Sequence, residues 1–281
     1  MKKKLLLTLT ATMLFSFAYA QFGEALKKSI YGKNPKSGHY ANIRGFKMYY
    51  EIYGKGEPLL LIHGNTGSIN HFTMQIPYFA QHYQVIVADS RAHGKSVDPT
   101  DSLSYEMMAE DFNALLDHLK IKSCNVIGWS DGGNNGLLLA IHHPDKVKKL
   151  ALTGANIYID SSAIFNDVLA FDFMGDLNKM EKTPEVLNTI KVTKLLYLLP
   201  NISLQQLNNM KCPTLVIGGD HDVILPKHTL LIAENIPQST LWVLPNSGHS
   251  TLINYKNQFN RTVADFFKKP RRVIKGMDRL N

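Results

Sequence analysis

The chemistry that this chain could perform is concentrated at a few polar residues placed directly after apolar runs. In Gly128-Trp129-Ser130-Asp131-Gly132 an apolar run ends at a serine flanked by glycines. Glycine two positions to either side of a serine permits a sharp turn that larger side chains would block, and such a turn lifts the hydroxyl clear of its surroundings. A serine hydroxyl is a poor nucleophile near neutrality and needs a base. His249, in Asn246-Ser247-Gly248-His249-Ser250, is the best placed, because it closely follows the last strand-like run. Other histidines have weaker claims: His142 and His143 end a helical pattern, His93 lies in a loop, and His221 sits between two aspartates. Either of those aspartates, Asp220 or Asp222, could orient the imidazole, and Asp222 is the candidate acid. Ser130, Asp222 and His249 would together transfer an acyl group to water.

These residues need a scaffold that brings positions far apart in sequence to one edge. Short apolar runs at Phe46 to Gly54, Pro58 to Gly64, Tyr83 to Ser90, Cys124 to Ser130, Val147 to Gly154, Pro213 to Asp220 and Ser239 to Pro245 read as strands. The first alternates, as an exposed edge strand does, and most of the others are continuous, as buried parallel strands are. Helix-like segments fall between them, at about Asn70 to His82, Tyr105 to Leu119, Asp131 to His142, Leu225 to Asn235 and Asn254 to Phe267. The alternation predicts a mostly parallel central sheet with helices on both faces, and reactive groups in such a sheet gather beyond the carboxyl ends of its strands. From about 157 to 210 no strand pattern appears, and the segment is too long for a plain loop. It reads as a small helical lid, in which Phe165, Phe171, Phe173, Leu195 and Tyr197 either line an apolar pocket or pack the lid onto the core.

Five stretches in this order resemble the α/β-hydrolase fold family: His63-Gly64-Asn65-Thr66-Gly67, Asp89 to Ser96, Gly128 to Gly133, Gly218 to Pro226 and Asn246 to Ser250. The resemblance covers about Arg44 to Phe267. It implies a serine hydrolase with Ser130 as nucleophile, His249 as base and Asp222, the second aspartate of its motif, as the acid. It also implies an oxyanion hole made by the backbone N–H groups of Asn65 and Asp131, with no metal and no organic cofactor. Ala92 departs from the pattern, which has glycine there. The elbow Gly-Trp-Ser-Asp-Gly-Gly resembles that of the valacyclovirase (biphenyl hydrolase-like) branch, where a carboxylate after the serine holds a substrate ammonium. That would make the Asp131 side chain a substrate handle, although an acidic residue in a first helical turn is favourable in any case.

A carboxylic ester of a small molecule is the first expectation for the substrate. An exopeptidase of proline iminopeptidase type, a C–C bond hydrolase or lactonase, and a non-catalytic binding protein are the alternatives on the same fold. Gly94-Lys95-Ser96 is not a phosphate loop, since the glycine such a loop requires five residues earlier is Asp89.

Bulk properties bound the rest. Residues 1–20 have three early lysines, an apolar stretch from Leu5 to Ala18 and an Ala18-Tyr19-Ala20 cleavage site, which reads as a signal peptide. The expectation is an exported protein, periplasmic or secreted, forming one domain over 21–281 with no membrane anchor once the leader is removed. The formal charge of +8 includes Lys2, Lys3 and Lys4 of the leader and a basic C-terminus. That C-terminus reads as a solvated helix end and tail rather than a nucleic-acid site. Cys124 and Cys212 belong to strands expected to have one strand between them. Two inter-strand steps span about 9–10 Å, beyond disulfide reach, so both should be buried free thiols.

Overall fold

The computed structural model describes residues 23–172 and 174–280. Residues 1–22 (which include the expected leader), Phe173 and Asn281 lie outside the described residues. Eight strands form one sheet in the order β1-β2-β4-β3-β5-β6-β7-β8. They are β1 Gly38–Ile43, β2 Phe46–Tyr53, β3 Glu57–Ile62, β4 Tyr83–Ala88, β5 Cys124–Trp129, β6 Val147–Thr153, β7 Thr214–Gly219 and β8 Ser239–Leu244. β1 and β2 form a hairpin, β2 runs antiparallel to β4, and every remaining pairing is parallel.

The seven strands read from sequence are all present, but the edge is different. β2 is not the exposed edge, because β1 pairs along its flank from Gly38↔Glu51 to Ile43↔Phe46. β1 escapes sequence reading because only Ala41 and Ile43 of its six residues are buried. Its turn uses Arg44 and Gly45, both at positive φ (42° and 92°), without the Asn-Gly or Asp-Gly pair that usually marks such a hairpin.

Alternation along the parallel strands sends side chains to two cores. Leu60, Ile62 and Val126 join one cluster with Met108, Phe112, Leu115 and Leu116 of the helix Tyr105–His118. Leu59, Leu61 and Ile127 join the other with Phe72, Ile76, Phe259 and Val263. The 105–118 helix begins where Ser104 Oγ accepts from Met107 N at 3.2 Å, and its apolar residues recur at spacings of four, three and one. The helix Asp131–His142 has the span expected from sequence. Two other expected helices are interrupted. Residues 70–82 hold only a 3₁₀ turn, Ile69–Phe72, and a short helix, Ile76–Phe79. The C-terminal pattern divides at Tyr255 into Thr251–Asn254 and Lys256–Lys268.

Between β6 and β7 the chain forms the helices Asn166–Leu169, Gly175–Lys179, Pro184–Leu198 and Leu204–Asn208. Leu195 is buried in the main core, whereas Phe165, Phe171 and Tyr197 are exposed. Polar contacts from Asn188, Lys191 and Val192 fasten the long helix to loops at the strand ends. Asn188 Nδ2 donates to Ala92 O (2.8 Å), Lys191 Nζ pairs with Asp98 (2.8 Å), and Val192 O accepts from Asn65 Nδ2 (3.1 Å). Asp98 also pairs with the buried Arg91, which makes a two-pronged contact with Asp111. Cys124 and Cys212 are free and buried. The basic residues Lys268, Lys269, Arg271, Arg272 and Lys275 are exposed.

Ala92, the departure from the family's glycine, has φ +64°. A side chain in this left-handed region costs about 1–2 kcal/mol, and replacing it with glycine loosens the unfolded chain by about 0.4–1 kcal/mol. Ala92→Gly is therefore expected to stabilise the protein by roughly 0.5–1 kcal/mol. Urea unfolding with an unchanged slope and a higher midpoint is the check; a lower midpoint would contradict it.

Candidate active site

Ser130 sits between β5 and the helix Asp131–His142, with φ 56° and ψ −122°. Non-glycine residues seldom adopt such angles, and the surroundings hold it there. Its N–H donates to Thr153 O at the end of β6 (2.8 Å), while its carbonyl accepts from Gly133 N (2.7 Å) and Asn134 N (3.2 Å). The glycines on either side are sterically required. A Cβ on Gly132 would collide with the Ile62 and His63 carbonyls, and one on Gly128 with the backbone of Gly132 and Gly133. A Cβ on Gly64 would come within 3.0 Å of the Ser130 Cβ and 3.7 Å of its Oγ, so the peptide leading into Asn65 lies against the serine side chain.

The chain brings His249 to the same place. Its Nδ1–H donates to Asp222 Oδ1 at 2.7 Å, and Asp222 Oδ1 also accepts from Ile224 N at 3.1 Å. The imidazole packs over Gly154, the residue after Thr153, where an added Cβ would lie 2.7 Å from His249 Cε1. Trp129, immediately before the serine, donates from Nε1 to His249 O at 3.1 Å. Asp220, the other candidate acid, holds the histidine's loop rather than its ring. Its carboxylate accepts from Asn246 N and Ser247 N, both at 2.9 Å.

Electrostatics separates His249 from the other buried imidazoles. Burial drives His63 well below the usual histidine range, lowers His71, and brings His93 and His228 down to about 4. Burial would also lower His249, but the charge and hydrogen bond of Asp222, with a smaller contribution from Asp131, outweigh it and raise the ring above its ordinary value. A histidine held by a carboxylate and able to take up a proton is suited to base catalysis.

Asp131 opens the helix with only 4% of its surface exposed. Burial raises its carboxyl above the usual range, against hydrogen bonds from Asn65 and Tyr105 that stabilise the charge. Asn65 Nδ2 donates to Asp131 Oδ2 at 2.8 Å. The carboxylate thus has protein donors, and an incoming ammonium would compete with the Asn65 amide. Sequence reading did not anticipate Tyr105, Trp129, Gly154 or the Asp220 clamp. The partners of these residues lie far along the chain, and no local pattern marks them.

An eight-stranded, mostly parallel sheet with a serine elbow at the carboxyl end of a central strand is the architecture of an α/β-hydrolase enzyme. The α/β hydrolase fold family model matches residues 57–210, and the chain belongs to that family. It is 28% identical to serine hydrolase BPHL of Mus musculus, over 80% of this chain and 84% of that protein. It is 27% identical to 3-oxoadipate enol-lactonase 2 of Acinetobacter baylyi, over 79% of this chain and 93% of that protein. Among solved structures, Est816, an N-acyl homoserine lactone degrading enzyme, superposes with a TM-score of 0.68 at 26% identity, covering 81% of this chain and all of the other. An esterase from Exiguobacterium antarcticum reaches 0.72 at 24% identity, over 83% and 100% of the two chains.

Proposed function

We propose that this protein is an exported serine hydrolase that cleaves a carboxylic ester of a small molecule. The observation that carries this reading is the Asp222–His249 pair, 2.7 Å apart, at the strand ends that also hold the Ser130 elbow. His249 Nε2 takes the proton of Ser130 Oγ as the oxygen attacks the ester carbonyl. The charge that develops on the carbonyl oxygen is held by the backbone N–H groups of Asn65 and Asp131, each worth about 3–4 kcal/mol to the transition state. His249 then gives its proton to the departing alkoxide, leaving an acyl group on Ser130. Water, deprotonated by the same imidazole, releases the acid. Asp222 orients the ring and stabilises its protonated form.

The helices between β6 and β7 act as a lid over this site, a role supported by the polar ties of Asn188, Lys191 and Val192 to the loops beneath. The N-terminal leader supports export to the periplasm or beyond. Lactone opening is the second reading. It needs no change in mechanism, since a lactone is a cyclic ester, and it is favoured by the likeness to a lactonase and a lactone-degrading enzyme.

The test is a panel of short and long p-nitrophenyl esters, an acyl lactone, an α-amino ester and a prolyl amide, assayed with the wild type. The expected result is fastest turnover of a neutral ester or lactone. Fastest cleavage of the prolyl amide would make the protein an exopeptidase. Turnover of none of them would remove the esterase reading.

A further inference from the structure

We propose that the Asp131 carboxylate is a positioning group. Through the Asn65 side chain it ties together the two residues that carry the oxyanion donors, and it couples both to the helix Pro184–Leu198. The inference rests on the oxyanion roles given above and goes beyond them by assigning the two side chains.

One carboxamide makes both connections. Asn65 Nδ2 donates to Asp131 Oδ2 at 2.8 Å and to Val192 O at 3.1 Å, so each amide hydrogen has its own acceptor. Asn65 follows β3, Asp131 follows β5, and Val192 belongs to the inserted helix. Three separate parts of the chain therefore meet on one NH2 group. The hydrogen bonds of the Asn65 loop between His63 Nδ1 and Gly64 O (2.8 Å) and from Thr66 Oγ1 to Asn65 O (2.7 Å) are local, and the Asn65 amide is what ties it to β5 and the inserted helix. The loop's internal backbone hydrogen bond is Gly67 N to Gly64 O at 3.1 Å, and Thr66 is strained at φ 54°. Asp131, in contrast, is anchored at a helix start and buried beside Tyr105. The rigid residue holds the soft one.

This arrangement also answers why a carboxylate stands next to a nucleophile whose transition state is anionic. A free negative charge there would oppose the oxyanion. Hydrogen-bonded to Asn65 and Tyr105, it serves as an acceptor that sets the spacing between two N–H groups. Oxyanion donors act only when placed within tenths of an ångström. Movement of the Asn65 loop by about 1 Å is expected to lower kcat by up to about 100-fold. The loss should fall on every ester, whatever its charge.

The experiment measures kcat and KM for neutral p-nitrophenyl acetate and for an α-amino ester. The proteins are the wild type, Asp131→Ala, Asp131→Asn, Asn65→Ala, the double alanine variant and Ser130→Ala. Asp131→Ala and Asn65→Ala are each expected to lower kcat about 10- to 100-fold on both esters with little change in KM. The double variant should be no worse than Asn65→Ala, which by itself already removes the tie to Asp131. Asp131→Asn, which keeps an acceptor oxygen, should recover most of the loss on both substrates. Independent, multiplying losses in the double variant would overturn the proposal. So would a defect confined to the amino ester and present in Asp131→Asn, which would assign the carboxylate to the substrate. Ser130→Ala separates the two levels. Hydrolysis surviving that variant overturns the serine mechanism and the tie with it, whereas its loss alongside wild-type kcat in Asp131→Ala overturns the tie alone. Asn65→Ala alters a half-buried loop residue and keeps the test decisive should Asp131→Ala fail to fold.

Discussion

Ser130→Ala is expected to abolish hydrolysis while leaving the melting temperature unchanged. Loss of the nucleophile from a serine triad costs on the order of 10⁶ in kcat. The stability side follows from the backbone. Ser130 makes no capping hydrogen bond to the helix that it precedes, so removing Oγ forfeits little. Alanine keeps the Cβ, so the strain at φ 56° and ψ −122° is retained rather than relieved. Ser130→Gly should behave differently, being equally inactive but more stable. Relief of strain of about 1–3 kcal/mol exceeds the entropy glycine adds to the unfolded chain, about 0.4–1 kcal/mol. A net gain near 1 kcal/mol corresponds to roughly 2–4 °C in Tm for a domain of this size. Initial rates and thermal melts of the three proteins check both statements. An alanine variant retaining more than a small fraction of activity would remove Ser130 from the mechanism, and a glycine variant that melts lower would remove the strain.

The second large effect belongs to the Asp222–His249 pair. kcat/KM should rise with pH as His249 loses its proton, with a midpoint above the ordinary 6.5, the direction in which Asp222 moves the ring. Asp222→Asn is expected to lower kcat about 10⁴-fold. It should also move the midpoint down, because burial then acts on the imidazole with less opposition. A pH profile of each protein decides the matter; an unmoved midpoint in the variant would show that another group controls the limb. Stability runs the other way across the same window. A histidine with a raised folded-state value stabilises the native protein fully below the unfolded value, and that contribution is lost as pH rises through the folded value. The pH at which the base becomes competent is therefore the pH at which its ion pair ceases to stabilise the fold.

Much of this organisation is legible in the sequence, for reasons that differ by residue. The parallel strands show themselves because burial on both faces forces continuous apolar runs, and β5 and β7 are buried at every position. The elbow shows itself because Gly128 and Gly132 are sterically forced, a constraint carried by neighbours in sequence. β1 does not, since a strand with two buried residues hardly differs from a loop. The Asn65–Asp131 contact, between residues 66 apart, and the Asn65–Val192 contact, 127 apart, leave no periodicity to read. Sequence could therefore present the Asp131 side chain as a substrate handle, while its hydrogen-bond partners stayed hidden.

The positive φ angles at Thr66, Ala92, Ser130 and Asn246 have a consequence for the energy landscape. These four residues lie beyond the carboxyl ends of β3, β4, β5 and β8, whereas Arg44 and Lys120, also at positive φ, lie elsewhere, so most of the local frustration is gathered along one rim of the sheet. The rim is where partial opening should be cheapest, because opening there releases strain as well as entropy. On warming, the catalytic edge should loosen as its own cooperative unit while the strand ladder holds, making heat inactivation an event of the rim rather than of the whole fold.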